Sequence, residues 1–221
     1  MSELPVNEVF ETIQGEATFT GMPAVFVRLQ GCDVGCPWCD TKHTWSLAEA
    51  NRVSASEMFY KQSDAPTYAV LAENELLELL ETSWSRHVVI TGGEPCEWDL
   101  TDLTAAIIDS GSTVQIETSG TREVRADSRA WVTLSPKIDM PGGLSVLDSA
   151  MARADELKMP VGKPADIVRL RDLLAKHPAF IGSVWLQPLS QNERATELCV
   201  TAATENGWRI SIQTHKFIGV R

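Results

Sequence analysis

At 221 residues the chain suits a single domain, 1–221, with a sizeable core, and its 43% hydrophobic and 22% charged content is that of an ordinary soluble globular protein. With 19 Lys and Arg against 30 Asp and Glu, a formal net charge of -11, it lacks the basic face that a nucleic-acid partner requires. No apolar run approaches the roughly 20 residues of a bilayer span, and Met1-Ser2-Glu3-Leu4-Pro5 has neither the basic start nor the apolar core of a secretion signal, so a cytoplasmic protein with no membrane partner is expected.

In chain order, Ala24–Leu29 reads as the first strand. Glu73–Glu81, with leucines at 76, 77, 79 and 80, has helical spacing and leads into an apolar strand, His87–Thr91. A helical stripe over Leu100–Ile108 precedes strands at Thr113–Glu117, Trp131–Ser135 and Glu156–Lys158. Pro164–His177 opens with proline, which suits a first helical turn. Strand Val184–Gln187, helix Gln191–Glu205 with its polar start and strand Arg209–Gln213 complete the series. Strands alternating with helices imply right-handed β-α-β units. The expected fold is α/β, an incomplete, TIM-like β/α barrel of six to seven mostly parallel strands. The polar turns follow the strands, and the C-terminal strand face of such barrels carries the chemistry.

Five cysteines are present, and three lie within eight residues, in Gly31-Cys32-Asp33-Val34-Gly35-Cys36-Pro37-Trp38-Cys39-Asp40. In a reducing compartment such clustering points to metal rather than disulfides. Thiolates are soft ligands for iron–sulfur clusters and for zinc. Three of them can hold three irons of a cubane and leave the fourth open to an outside ligand. A closed zinc site of Cys32, Cys36, Cys39 and His43 is the alternative. Cys96 and Cys199 lie outside the loop and read as packing residues.

The three-cysteine spacing, with Trp38 before the last thiol, resembles the radical S-adenosylmethionine superfamily, as does Thr91-Gly92-Gly93-Glu94-Pro95 behind an apolar strand about 50 residues later. Within it the chain is similar to the 7-carboxy-7-deazaguanine synthase family of queuosine biosynthesis, in its enteric form. The matching segments are Asn7–Glu16, Phe26–Cys32, Cys39–Trp45, Ile116–Thr121, Leu134–Lys137, Leu186–Pro188 and Gln213–Lys216.

The resemblance implies a lyase that converts 6-carboxy-5,6,7,8-tetrahydropterin to 7-carboxy-7-deazaguanine with loss of ammonia, using a 4Fe-4S cluster, S-adenosylmethionine and a magnesium ion (Mg2+). It also implies a flavodoxin-type reductant and a homodimer. Carried over position by position, Cys32, Cys36 and Cys39 hold the cluster and Thr41 meets magnesium. Trp38, Cys39, Asp40, Gly93, Ser135, Pro136, Lys137, Gln187, Pro188, Leu189 and Ser190 meet the cofactor. Ile13, Gln14, Gly15, Arg28 and Thr91 meet the substrate, and the Arg28 guanidinium is suited to grip a carboxylate with two parallel bonds. Glu94, Glu117, Lys137 and His215 have readings as pocket groups or as local structural partners, and the tail Phe217–Arg221 as a pocket cover. Ala17 stands where this family commonly has glycine. The competing functions are a radical activase acting on a partner protein and a zinc-binding module.

Overall fold

The structure is a computed structural model and describes residues 2–61 and 63–220. Its strands are β1 (Glu3–Ile13), β2 (Pro23–Leu29), β3 (Ala69–Ala72), β4 (His87–Gly92), β5 (Thr113–Thr118), β6 (Trp131–Leu134), β7 (Glu156–Val161), β8 (Ser183–Pro188) and β9 (Arg209–Ile210). Its α-helices are α1 (Ala55–Phe59), α2 (Glu73–Glu81), α3 (Thr101–Asp109), α4 (Asp148–Arg153), α5 (Pro164–Lys176), α6 (Glu193–Asn206) and α7 (Thr214–Ile218). The strands form one sheet in the order β3-β1-β2-β4-β5-β6-β7-β8-β9. From β2 through β4 to β9 every neighbouring pair is parallel. These seven parallel strands are the ones the sequence predicts, and the sheet does not close.

The two strands beyond them are β1, antiparallel to β2, and β3, antiparallel to β1. They correct the expected strand count. Pro5, Asn7 and Glu8 interrupt the apolar pattern of β1, yet Asn7 and Glu8 are both buried. Asn7 donates to Gln30 Oε1 and to the carbonyls of Ala65 and Thr67, which removes the cost of burying an amide. Strand β3 is four residues abutting α2, so its Ala-Val-Leu-Ala reads as more helix. At the other edge β9 stops at Ile210 rather than Gln213, and Ser135 falls just outside β6.

Alternation along the strands separates two environments. One face supplies Val88, Ile90, Val114 and Ile116, which pack against Leu76, Leu80, Leu103 and Ile107 of α2 and α3. A second cluster packs Leu134, Leu157, Met159, Val161 and Leu186 against α4, α5 and α6 through Met151, Ile167, Leu170 and Cys199. The other face is polar. His87, Gln115, Thr133 and Glu156 are buried and bonded in a chain across β4 to β7, and Thr18 donates to Glu156. A barrel interior built this way ends upward in hydrophilic side chains.

Strands β2 and β4 meet most tightly at their C-terminal ends. A Cβ placed on Gly92, whose φ is +138°, would lie 2.3 Å from the Leu29 carbonyl oxygen and 2.4 Å from its nitrogen. Gly92→Ala should therefore destabilise the apoprotein by about 3 kcal/mol, from the glycine-only backbone conformation and the overlap together. Urea unfolding of apoprotein measures this; a change below about 0.5 kcal/mol, the scatter of ordinary surface substitutions, would rule out the close approach.

Candidate active site

The C-terminal ends of the strands surround one cavity of about 390 Å3. Of the residues singled out from sequence, Ile13, Gln14, Gly15, Arg28, Cys32, Cys36, Trp38, Cys39, Asp40, Thr41, Thr91, Gly93, Ser135, Lys137, Gln187, Pro188, Leu189 and Ser190 all line it. Pro136 does not; it is buried beneath the turn after β6. Glu117 and His215 line the cavity too. Phe217 to Val220 are not among the lining residues, and Arg221 lies outside the described residues.

The cysteine loop leaves the end of β2. Gly31 N–H donates to Thr44 O at 2.7 Å and Cys32 N–H to Trp45 O at 3.1 Å, which folds the loop back on its own exit. From β4, Gly93 N–H donates to Leu29 O at 2.9 Å and Glu94 N–H to Gly31 O at 2.8 Å. The glycine turn is thus bolted to the first cysteine's neighbour. Glu94 is buried and is not among the residues that line the cavity. It accepts from Thr118 Oγ1 at 2.6 Å, Cys96 N–H at 3.0 Å, Ser119 N–H at 2.8 Å and the Ser119 hydroxyl. This settles Glu94 as a structural strap between β4 and β5.

All five cysteines are free. As bare thiols, Cys32 is pushed up to about 11 and Cys36 is raised, in both cases mainly by burial, so a metal must displace their protons to bind. Among the described residues no three His, Cys, Asp or Glu side chains converge as ligands of a single ion. His43 does not line the cavity. A mononuclear zinc site needs four ligands on one centre, whereas a cubane takes its thiolates at separate corners. Three free thiols round one cavity are the donor set that a cluster takes at three separate corners. Cys96 and Cys199 are buried in the two apolar clusters, with the Cys199 thiol pushed up to about 12 by burial.

Arg28 projects from β2 into the cavity beside the Phe10 ring, and its Nε donates to the buried Glu8 at 2.6 Å. Among the described residues its Nη groups make no hydrogen bond. Lys137 folds onto Ser135, donating to its hydroxyl at 2.5 Å, and makes no ion pair among the described residues. Burial lowers its pKa, partly offset by the neighbouring Cys36 thiolate. Burial likewise lowers His215, opposed by Glu16. The His215 ring fills the space over Gly15, where a Cβ would sit 2.1 Å from Nδ1, and Thr214 N–H donates to Gly15 O. The segment after β9 therefore closes on the loop after β1. Ala17 in that loop has φ of +52°, a left-handed conformation that glycine adopts without strain.

The sequence reading missed the cavity floor. Lys158 of β7 is buried and pairs with both Glu16 and, at 3.0 Å, Glu117. Gln14 donates to Glu117 at 3.0 Å; Gln213 and Gln187 donate to Glu16 at 2.7 and 3.3 Å. A lysine between Leu157 and Met159 inside a strand was the available signal, since lysine is almost never buried unless paired. Burial alone would raise Glu16, but Lys158 outweighs it and holds the carboxyl at about 2, while the two carboxylates raise Lys158 against its own burial.

An open, mostly parallel β/α barrel whose cavity joins a three-thiol loop to a glycine turn defines a cluster-dependent radical enzyme. A sequence family described as a 4Fe-4S single cluster domain matches residues 14–123. The chain is 47% identical over 99% of both chains to 7-carboxy-7-deazaguanine synthase of Escherichia coli strain K12, and 38% identical to that of Buchnera aphidicola, over 98% of this chain and 99% of the relative. The crystal structure of QueE from Escherichia coli superposes with a TM-score of 0.92 at 47% identity, covering 96% of this chain and 94% of that one. The chain belongs to the 7-carboxy-7-deazaguanine synthase family.

The floor has a defined pH signature. Stabilisation from Glu16 is complete above its unfolded value of 4.5 and is lost as pH falls toward about 2; that from Lys158 is complete below 10.5 and declines only as pH rises beyond it. Lys158→Met strips the cation from two buried carboxylates and should cost about 3 kcal/mol at pH 7, with the difference from wild type shrinking below pH 4.5. Urea unfolding at both pH values checks this; equal stability at pH 7 would exclude the buried pairing.

Proposed function

We propose that the chain is a radical S-adenosylmethionine lyase that turns 6-carboxy-5,6,7,8-tetrahydropterin into 7-carboxy-7-deazaguanine with release of ammonia, in the route to queuosine and related 7-deazapurines. The observation that carries it is the convergence of the cysteine loop, the Gly92-Gly93 turn and Arg28 on one cavity. Near-identical length and fold with relatives of that activity support it.

A 4Fe-4S cluster and S-adenosylmethionine, when bound, would supply the one-electron chemistry of the reaction. Everything else is the chain's own work. Cys32, Cys36 and Cys39 hold the cluster as thiolates. Gly93 lets backbone approach the methionine end of the cofactor, while Trp38, Cys39, Asp40, Ser135, Pro136, Lys137 and the Gln187–Ser190 turn hold the remainder, Pro136 by shaping the turn from beneath. Arg28 aims its Nη groups at the substrate carboxylate with Glu8 fixing the fork, and Ile13, Gln14, Gly15 and Thr91 border the ring. Thr41, whose hydroxyl lies 3.5 Å from Cys39 Sγ, and the adjacent Asp40 supply hard oxygens where a magnesium ion could share a substrate oxygen and keep its waters. Glu117 retains acceptor capacity beside the substrate after its bonds to Gln14 and Lys158.

The whole chain acts as one domain. It takes electrons from a flavodoxin-type carrier, works in the reducing cytoplasm that five free thiols suit, and binds no nucleic acid, in keeping with its acidity. No helix among the described residues is long and apolar enough to cross a membrane. We further propose a homodimer, as the resemblance to this family implies.

Anaerobically reconstituted protein should carry about four irons per chain and, with the pterin, S-adenosylmethionine, magnesium and a reductant, form 7-carboxy-7-deazaguanine by mass spectrometry. Colourless protein holding zinc would refute the reading. Replacing any one of the three loop cysteines with Ala should abolish 5′-deoxyadenosine formation. Arg28→Ala should keep the cluster and raise KM at least tenfold, equivalent to loss of a charge-assisted pair of about 1.5–3 kcal/mol; an unchanged KM would remove Arg28 from the carboxylate site.

A further inference from the structure

The outer side of the cysteine loop is held by residues that the assigned chemistry does not use. Asp33 and Val34, between the first two cysteines, lie against the turn Pro141-Gly142. Gly142 N–H donates to Val34 O at 3.1 Å, and a Cβ on Gly142 would sit 2.1 Å from Asp33 O. Gly35 packs on Pro141 and Gly142 in the same contact. Beside it, Arg122 Nη2 donates to Asp33 Oδ2 at 2.7 Å and pairs with Glu97 Oε1 at 2.8 Å. Its Nη1 donates to Thr121 O at 3.2 Å, which fixes the fork over the end of the β5 turn.

Glu97 follows directly on the glycine turn, within the short helix Pro95–Glu97. Arg122 thus stands astride two pieces of machinery: the loop that carries the thiols and the turn that approaches the cofactor's methionine. The inner faces of these two pieces are joined by rigid backbone bonds at Gly31 and Gly93. On the outside, Asp33 and Val34 are held by the Arg122 ion pair and the Gly142 contact. Arg122 and Glu97 are about three-quarters shielded from solvent, and Asp33 is more open, so the bridge is partly screened by salt.

Resting on the reading that the thiols hold a cluster, we propose that Arg122 is a positioning residue that clamps the cysteine loop, through Asp33, against the glycine turn, through Glu97, and so keeps the cluster and the methionine end of S-adenosylmethionine in register. Arg122 does not line the cavity. Arginine suits the role because Nη2 reaches both carboxylates while Nη1 stays bonded to Thr121 O, a hold that the single ammonium of lysine reproduces only in part.

The test uses full-length, anaerobically reconstituted protein. Loss of the cluster absorption to a chelator is followed in wild type, Arg122→Ala, Asp33→Ala and the double variant, with the electron paramagnetic resonance signal of the reduced cluster recorded before and after adding S-adenosylmethionine. Arg122→Ala should shed its cluster about five-fold faster, the size of a partly exposed ion pair. The double variant should lose it no faster than Arg122→Ala, because both changes cut one bond. The signal change on adding cofactor should need more cofactor in Arg122→Ala and be partly restored in Arg122→Lys. The unfolding midpoint of apoprotein should move by no more than the few degrees that a partly exposed ion pair accounts for, while a residue that only holds the fold together would move it without changing the cofactor response. Wild-type rates and cofactor response in Arg122→Ala, or fully additive effects, would overturn the clamp while leaving the cluster assignment standing. Wild-type protein that takes up no iron would overturn the cluster assignment itself, and the clamp with it.

Discussion

The site depends on how closely two backbones pass. At the ends of β2 and β4, Gly92 and Gly93 lie so near Leu29 and Gly31 that a methyl group on either would overlap main-chain atoms at 2.1–2.4 Å. That contact fixes where the cysteine loop begins relative to the turn proposed to meet the cofactor. A cluster seated on the loop and a nucleotide held by the turn have their spacing set by main chain, before any side chain adds its preference. Glu94 then locks the turn from behind by gathering Thr118, Ser119 and the Cys96 N–H onto one buried carboxylate. A radical reaction needs its partners held and water excluded, and rigid backbone does the first of these at the lowest entropy.

Below this lies a polar floor rather than the branched apolar layers that fill an ordinary β/α barrel. The chain from His87 through Gln115 and Thr133 to Glu156, with the Lys158 cluster above it, satisfies each buried group with another. Open sheet edges make this possible: β1 is added antiparallel to β2, and the loop after it dips inward, so that Gln14 and Glu16 reach the floor from outside the barrel sequence. The segment after β9 meets the same loop at Gly15. The two ends of the chain therefore complete the cavity where a further strand and helix would otherwise stand.

The parallel strands were legible because each is a short apolar run closed by a turn, and the helices α2, α3, α5 and α6 because their apolar stripes recur at helical spacing, with Pro164 in the first turn of α5 and Asn192 capping α6. Strand β1 was hidden by Asn7 and Glu8, whose burial is sensible only once Gln30 and Arg28 are in place as partners. The thiol loop and glycine turn carry their meaning in local spacing and so were readable at once. Lys158, Glu16 and Gln213 were not, because their significance is a convergence across residues far apart in the chain. Arg28 could be placed by strand alternation, but not its bond to Glu8, since the antiparallel pairing that creates it was unseen. Ala17 was visible as an oddity, and only its positive φ explains it.

The central claim is that three thiols leave one iron open beside the glycine turn. Electron–nuclear double resonance on the reduced cluster with S-adenosylmethionine labelled by nitrogen-15 at the amino group measures it directly. The account predicts a resolved nitrogen-15 coupling that disappears when unlabelled cofactor replaces it. A fully thiolate-bound cluster with no coupling to the label, despite bound cofactor, would contradict it.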